Sequence, residues 1–275
     1  MYRHEGVPNA PRAMLLNAAA AWLFCAIGAW EAAWLVEHAV AGSWSWPAAA
    51  GATVPALALF ALPRLVASVR WPFMTHRDSY SFIAGMGLAL SLGLWSVGSD
   101  IAWSGDPSPL PYAPLLNPID LVQVLVLFVL YRYGRFLDTL PSTTMARLDA
   151  RAFRSALAVL AFMGLNAVLF RTLHQWFGVA WGIEASFKST RMQASVSIFW
   201  AILALVAMLL AARRQQRVVW LVGASQLGIV VVKLFLVDLS RVGSIERIVS
   251  FVGVGVLMLV VGYWSPIPPA VRTPR

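Results

Sequence analysis

With 275 residues, a formal net charge of +9 and a mean hydropathy of +0.72, the chain is 60% hydrophobic and only 12% charged. Soluble domains carry about 25% charged residues, so the composition excludes an ordinary water-soluble domain and identifies a polytopic membrane protein. The basic excess follows the topology set out below and calls for no nucleic-acid partner.

Eight runs are long and apolar enough to cross a hydrocarbon core of about 30 Å as helices. They cover approximately 13–38, 48–68, 80–99, 117–133, 153–175, 193–212, 218–239 and 245–264. Helices are required because backbone polar groups in lipid must be satisfied within their own segment, and no run alternates as a transmembrane barrel strand does. The expected fold is therefore all-α: a single transmembrane helical domain over 1–275 with about eight spans.

The first span holds the lone Cys25, a small packing residue with no disulfide partner, and Glu31 about two turns inside its end. It is too long for a signal-peptide core and is read as retained. After the third span, the run from Trp103 to Ala113 and Pro114 is Pro-rich and so extended. It leads into Leu116-Asn117-Pro118-Ile119-Asp120, where Pro118 suits the first helical turn, Asn117 its N-cap, and Asp120 the positive end of the helix dipole. The fourth span is the shortest in apolar content, from Leu121 to Tyr131. The polar stretch from Arg132 to Arg154 is expected to carry a short interfacial helix after Pro141.

Span five ends with Arg171 and His174, three apart and on one face, with Asn166 lower on the helix. Span seven closes with Lys233-Leu234-Phe235-Leu236-Val237-Asp238-Leu239-Ser240. An ionisable group inside a span costs roughly 2.5–3.5 kcal/mol by insertion scales, so each is expected to face protein or water and to have a partner. Lys233 and Asp238 are five apart, about 140° around the helix, so they are poorly placed to pair with each other. Glu31, Asp120 and Asp238 are the candidate counter-charges for Lys233. Gln226, Lys233 and Ser240 form a polar stripe, and Asp238 can pair with Arg241. In the last span Gly253, Gly255 and Gly262 read as close-packing positions between helices.

Positive charge stays on the cytoplasmic side of a bacterial membrane. With both termini inside, fifteen of the 21 Lys and Arg residues fall on that side, and the opposite side receives Arg171, Lys188, Arg191, Arg241 and Arg247, with Lys233 in the membrane. This orientation gathers the intramembrane and outer-surface charges in the outer half, facing the periplasm of an inner-membrane protein. Trp44, Trp46, Trp103, Trp176 and Trp181 mark the outer boundary, and Trp71, Trp220 and Trp264 the inner one.

Two functions fit this outer cluster. In the first, a periplasm-facing enzyme or accessory subunit acts on a cell-envelope glycan or lipid-linked intermediate. His174 is then the acid/base and Arg171 works beside it, while Lys233, Asp238, Arg241, Arg247, Asp120 and Glu31 form the substrate-binding set. In the second, a transporter or flippase uses Lys233, Asp238 and Glu31 as an intramembrane substrate or proton site. The plainer alternative is a scaffold whose charges only orient helices. No nucleophile elbow, zinc-ligand spacing, P-loop or dinucleotide fingerprint is present, so neither a metal nor a cofactor is expected.

The C-terminal third carries further recognisable blocks: Gln226-Leu227-Gly228, Val232 to Ser240, Arg247 to Gly255 and Gly262-Tyr263-Trp264. Upstream stand Leu116 to Leu121, Arg171-Thr172-Leu173-His174, and Gln193 followed by Ser197-Ile198-Phe199-Trp200. Together they resemble the bacterial predicted membrane proteins of domain of unknown function 2339, most distinctly over about 110–265. Members of that family are usually longer, with more spans, so the resemblance implies a C-terminal membrane portion, as a short member or a fragment. It implies no reaction.

Overall fold

The computed structural model describes residues 10–40, 42–140 and 150–234, with isolated helical positions at 252, 255, 256 and 259. Among these residues the chain is helical throughout, without strands. The helices are α1 (Ala10–Ala39), α2 (Ser45–Ser68), α3 (Gly85–Ala102), α4 (Pro118–Leu137), α5 (Ala150–Phe177), α6 (Ile183–Lys188), α7 (Thr190–Arg213) and α8 (Arg217–Lys233). Two π-helical segments, Arg70–Met74 and Ser79–Ala84, join α2 to α3. Among the described residues, five helices are long and apolar enough to cross a membrane: Arg12–Ala39, Ser45–Ser68, Ser79–Ala102, Arg151–Phe177 and Thr190–Arg213.

Several expected boundaries shift. The fourth span runs on to Leu137, four residues past its expected end, and α6 was not foreseen. The interfacial helix expected after Pro141 and the eighth span lie largely outside the described residues, as do Asp238, Arg241 and Arg247.

Two compact units divide the chain, Met1–Trp181 and Gly182–Arg275. In the first, α2 and α4 supply helical stripes to a common core. Ala52, Ala56, Leu59, Leu62 and Val66 recur at the three- and four-residue spacing of one helix face, and Val126, Val129 and Tyr133 do the same on α4. Ala18 of α1 and Leu88 and Leu92 of α3 complete this core. The opposite faces stay apolar, with Phe24 80% and Trp30 73% exposed on α1, which suits lipid and would be costly in water.

Polar contacts stitch the helices where π-helical turns change register and leave carbonyls open to side-chain donors. Trp22 Nε1 donates to the Ala84 carbonyl (3.0 Å), Ser79 Oγ to Met14 (2.6 Å), and the Tyr133 hydroxyl to Ser81 (2.7 Å). Gly85 is what lets Tyr133 come so close.

In the second unit α7 packs on α8 around Ala204, Met208 and Leu227. Gly223 permits that approach, since a Cβ there would stand 2.8 Å from Met208.

A Cβ at Gly85 would lie 2.6 Å from the buried Tyr133 hydroxyl. Gly85→Val is therefore expected to destabilise the protein by about 1–3 kcal/mol through overpacking. Thermal unfolding in detergent, followed by size-exclusion fluorescence, measures it; a variant as stable as the wild type contradicts this packing.

Candidate functional site

The ends of α3, α4 and α5 meet the loop 103–117 around one side chain. Arg171, in the last two turns of α5, is fully buried. Its Nη1 donates to Asp120 Oδ1 at 2.5 Å, its Nη2 to the Ser99 carbonyl at 2.8 Å, and its Nε to the Trp103 carbonyl at 3.2 Å. Nη2 also lies 3.5 Å from Asp100 Oδ1. Every nitrogen of the guanidinium is thus turned to a protein acceptor, and one cation sits between two acid side chains.

Local sequence explains how each partner arrives. Asn117 caps α4 as expected, its side chain accepting from the Asp120 backbone N–H at 2.9 Å, with Pro118 at the helix start. Asp120 Oδ2 then accepts from Asn117 Nδ2 (2.5 Å) and from the Leu115 N–H (3.2 Å). The carboxylate expected at the helix dipole is therefore also the counter-ion of Arg171. Ser99 and Asp100 lie in the last turn of α3, where the Ser99 carbonyl accepts both from the Trp103 backbone N–H at 3.3 Å and from Arg171 Nη2. Gly105, at φ +69°, passes directly over the arginine stem, and a Cβ there would be 2.7 Å from Arg171 Cδ. Position 105 therefore has two reasons to be glycine.

A second layer surrounds the cluster. Gln123, one turn beyond Asp120, points its Nε2 at Ser96 Oγ (2.5 Å) and Asp100 Oδ2 (3.5 Å), while its Oε1 is buried without a hydrogen-bond partner. Gly164 of α5 leaves room for that amide. On the loop, the Tyr112 hydroxyl is 3.3 Å from Thr172 Oγ1, and burial pushes the Tyr112 phenol up, so it stays neutral. Trp176 Nε1 donates to the Tyr112 carbonyl and Trp46 Nε1 to Pro107 and Ser108, anchoring the loop to α5 and to the start of α2.

The other expected site residues have contacts of their own or fall outside the described residues. His174 is half-buried at the end of α5; its Nδ1 donates to the Val179 carbonyl at 2.7 Å, and its ring leans on Trp181. That bond leaves Nε2 as the acceptor of the neutral ring. Glu31 occupies an exposed position on α1. In the second unit, Lys233 Nζ donates to the Gln193 carbonyl (3.0 Å) and Ser197 Oγ (2.7 Å), and Gln226 Nε2 to the Trp200 carbonyl (3.2 Å). Gln226 and Lys233, the described members of the stripe on α8, thus each donate to oxygens of α7. Asp238, Arg241 and Arg247 fall outside the described residues.

Sequence reasoning did not nominate Asp100, Ser99, Gly105 or Gln123. The available signal was the pair of polar residues Asp120 and Gln123 three apart on span four, opposite an acid near the end of span three. Among the described residues no cluster of His, Cys, Asp or Glu could hold a metal ion.

A partly open apolar cavity of about 610 Å³ lies between α1, α2 and α3. Small residues such as Ala26, Ala29, Gly51 and Ser91 form its walls, with Trp22 and Trp95 beside them. Trp95 is five residues, or about 7.5 Å along the helix, from Asp100. The cavity thus reaches toward the end of the unit that holds the charge cluster.

The family model described as "Predicted membrane protein (DUF2339)" matches residues 1–268. Comparison with curated proteins and with solved structures returns no match.

Arg171→Met leaves the Asp120 carboxylate buried without its cation, a loss expected at about 3–5 kcal/mol. Adding Asp120→Asn should recover part of it, and Arg171→Lys should not, because an ammonium cannot span the same acceptors. The yield of monodisperse protein after detergent extraction and heating ranks the variants; an Arg171→Met protein matching the wild type refutes the assignment.

Proposed function

The chain belongs to the DUF2339 family of predicted membrane proteins, and on that footing we propose that it binds the acyl portion of a lipid or lipid-linked cell-envelope intermediate. The observation that carries this reading is the apolar cavity between α1, α2 and α3. Its volume falls within the range of about 300–1,000 Å³ typical of small-molecule sites. It is flanked by helices long and apolar enough to lie in a membrane, so an acyl chain can enter laterally without crossing water. In this reading the protein is a multi-pass protein of the bacterial inner membrane with about eight spans and both termini cytoplasmic. The charge bias supports that orientation, which places the Arg171 end toward the periplasm.

The ligand headgroup then lies at the level of loop 103–117, near His174, whose Nε2 is the ring nitrogen left to accept a proton. Arg171 and Asp120 act as positioning residues that hold α3, α4 and α5 in register around this end. A carrier or flippase is the second reading, favoured by the Lys233 ammonium held between Gln193 and Ser197 on the apolar helix α7. Asp238, Arg241 and Arg247 belong to the proposed outer polar surface by sequence alone.

Two experiments test the proposal. Native mass spectrometry of protein extracted from bacterial membranes should detect a tightly held lipid, and Ala26→Phe with Ser91→Phe, which fill the cavity from two helices, should reduce its occupancy at least tenfold with the fold retained. Lipid retention unchanged in the filled variant, or no bound lipid in the wild type, refutes acyl binding. For orientation, a cysteine at Pro109 in a Cys25→Ala background should react with a membrane-impermeant thiol reagent on spheroplasts; labelling only after lysis reverses the topology.

A further inference from the structure

The two acid side chains around Arg171 are served unequally. Asp120 receives close bonds from Arg171 Nη1, Asn117 Nδ2 and the Leu115 N–H. Asp100 has two contacts, one to each oxygen and both at 3.5 Å: Arg171 Nη2 to Oδ1 and Gln123 Nε2 to Oδ2. The same Nη2 makes its short bond to the Ser99 carbonyl instead. Yet the Asp100 side chain is only 5% exposed. An ionised carboxylate so placed would lack the short charge-assisted bonds that normally offset desolvation. It would also leave the buried cluster with two negative charges against one positive.

A second observation points the same way. Gln123 is 4% exposed, its amide is turned to Ser96 and Asp100, and its Oε1 has no hydrogen-bond partner. An acceptor without a donor thus stands beside an acid without a close donor. One added proton on a carboxyl oxygen removes the surplus charge and turns Asp100 into an O–H donor, which Oε1 can accept once the Gln123 amide is turned. Gln123 suits either state, since turning its amide presents Nε2 to a carboxylate or Oε1 to a carboxylic acid.

We propose that Asp100 is a proton-binding site, occupied in the folded protein at neutral pH, with Gln123 as the residue that positions the proton. The step is a simple protonation. A proton from the aqueous phase at the loop end forms an O–H bond on an Asp100 carboxyl oxygen, and no other bond changes. Asp100 is two residues from the end of α3, so the path to solvent is short. The charged and titratable groups facing it are Arg171 from α5 and Asp120 from α4. Beyond them, Tyr112 is tied to Thr172 and His174 to Val179. The one ionisable side chain of α2, Arg64, and Tyr80 of the Ser79–Ala84 segment lie at the opposite ends of their elements. Bound at Asp100, the proton leaves Arg171 and Asp120 as a balanced pair. Released, it adds a negative charge that competes with Asp120 for the guanidinium. Proton uptake there therefore couples to how tightly α3 and α4 are held to α5, which is the element a proton-driven carrier needs. This inference rests on the cluster and is independent of acyl binding in the cavity.

Infrared difference spectroscopy on the purified protein in lipid nanodiscs is the test. Wild-type protein at neutral pH should show the carbonyl stretch of one protonated carboxylic acid, lost on alkaline titration and shifted in Gln123→Leu. Asp100→Asn should lack the band and keep near-wild-type thermal stability, because asparagine is a neutral isostere of the bound form. The folded protein then holds a proton that the unfolded chain gives up at neutral pH. Wild-type stability should therefore fall as pH rises through the range in which the band disappears, and this slope should vanish in Asp100→Asn. The proposal is overturned by a wild-type spectrum without the band, by a band that persists in Asp100→Asn, or by an Asp100→Asn chain that cannot fold. Stabilisation of the wild type by sodium at constant pH, with no carboxylic band, overturns it in favour of a metal cation.

Discussion

A guanidinium withdrawn from solvent must find acceptors for its N–H groups within the protein, and Arg171 finds them on two helices and a loop. It takes a carboxylate from α4, a terminal carbonyl from α3 and the Trp103 carbonyl where the chain leaves α3. Each acceptor lies where a helix begins or ends, and the Trp103 carbonyl, just past the last turn of α3, is one that the fork takes up. The surrounding sequence then has little freedom. Gly105 must be small and left-handed for the loop to cross the arginine stem, and Asn117 must both cap α4 and hold the Asp120 carboxylate. A buried ion pair is not in itself strong evidence of stability, because desolvation can cancel its attraction. What it supplies here is register, since a slip of any one helix strands a charge.

Such a device has particular value in lipid. Apolar helix faces gain little from one another when hydrocarbon surrounds them, so association relies on close packing and on polar contacts. Both appear in this chain. Gly85 lets Tyr133 reach Ser81, and Gly223 brings α8 against Met208. The same preference for small residues has a different result between α1, α2 and α3. There, alanines and glycines leave a space that the neighbouring Trp22 and Trp95 border, and polar contacts of Trp22 with Ala84 and of Ser79 with Met14 tie α1 to the segment before α3. Polar pegs fix the spacing and small residues leave the cavity.

The helices were legible because their signal is local. An apolar run about twenty residues long identifies itself, and Asn117-Pro118 announces the start of α4. Asp120 was recognised as a capping residue, and it is close to the cap, but its main partner is 51 residues away and depends on how α4 and α5 pack. Asp100 carries no such signal, since an acid near a span end reads equally well as an interfacial anchor. For Lys233 the expectation named carboxylates alone, and among the described residues Gln193 and Ser197 also offer it oxygens. Charge complementarity is visible in a sequence; a carbonyl turned toward an ammonium is not. The cavity was illegible for the same reason, because it is a property of three helix faces together.

The chemistry available at the loop end follows from which groups are already committed. Arg171 cannot turn its fork to an incoming anion without giving up its bonds to the Ser99 and Trp103 carbonyls and leaving the Asp120 carboxylate buried without its cation. His174 is held by Val179 through Nδ1, and its tautomer is set by that bond. Arg171 is thus committed to the helix ends, whereas the bond to Val179 leaves His174 its Nε2. Asp100 is under no such constraint. Its contacts are long, its neighbour Gln123 holds an unused acceptor, and it sits in the last turn of α3. In this half of the bundle the rigid charges hold the helices, and the loosely held acid is the group free to change state.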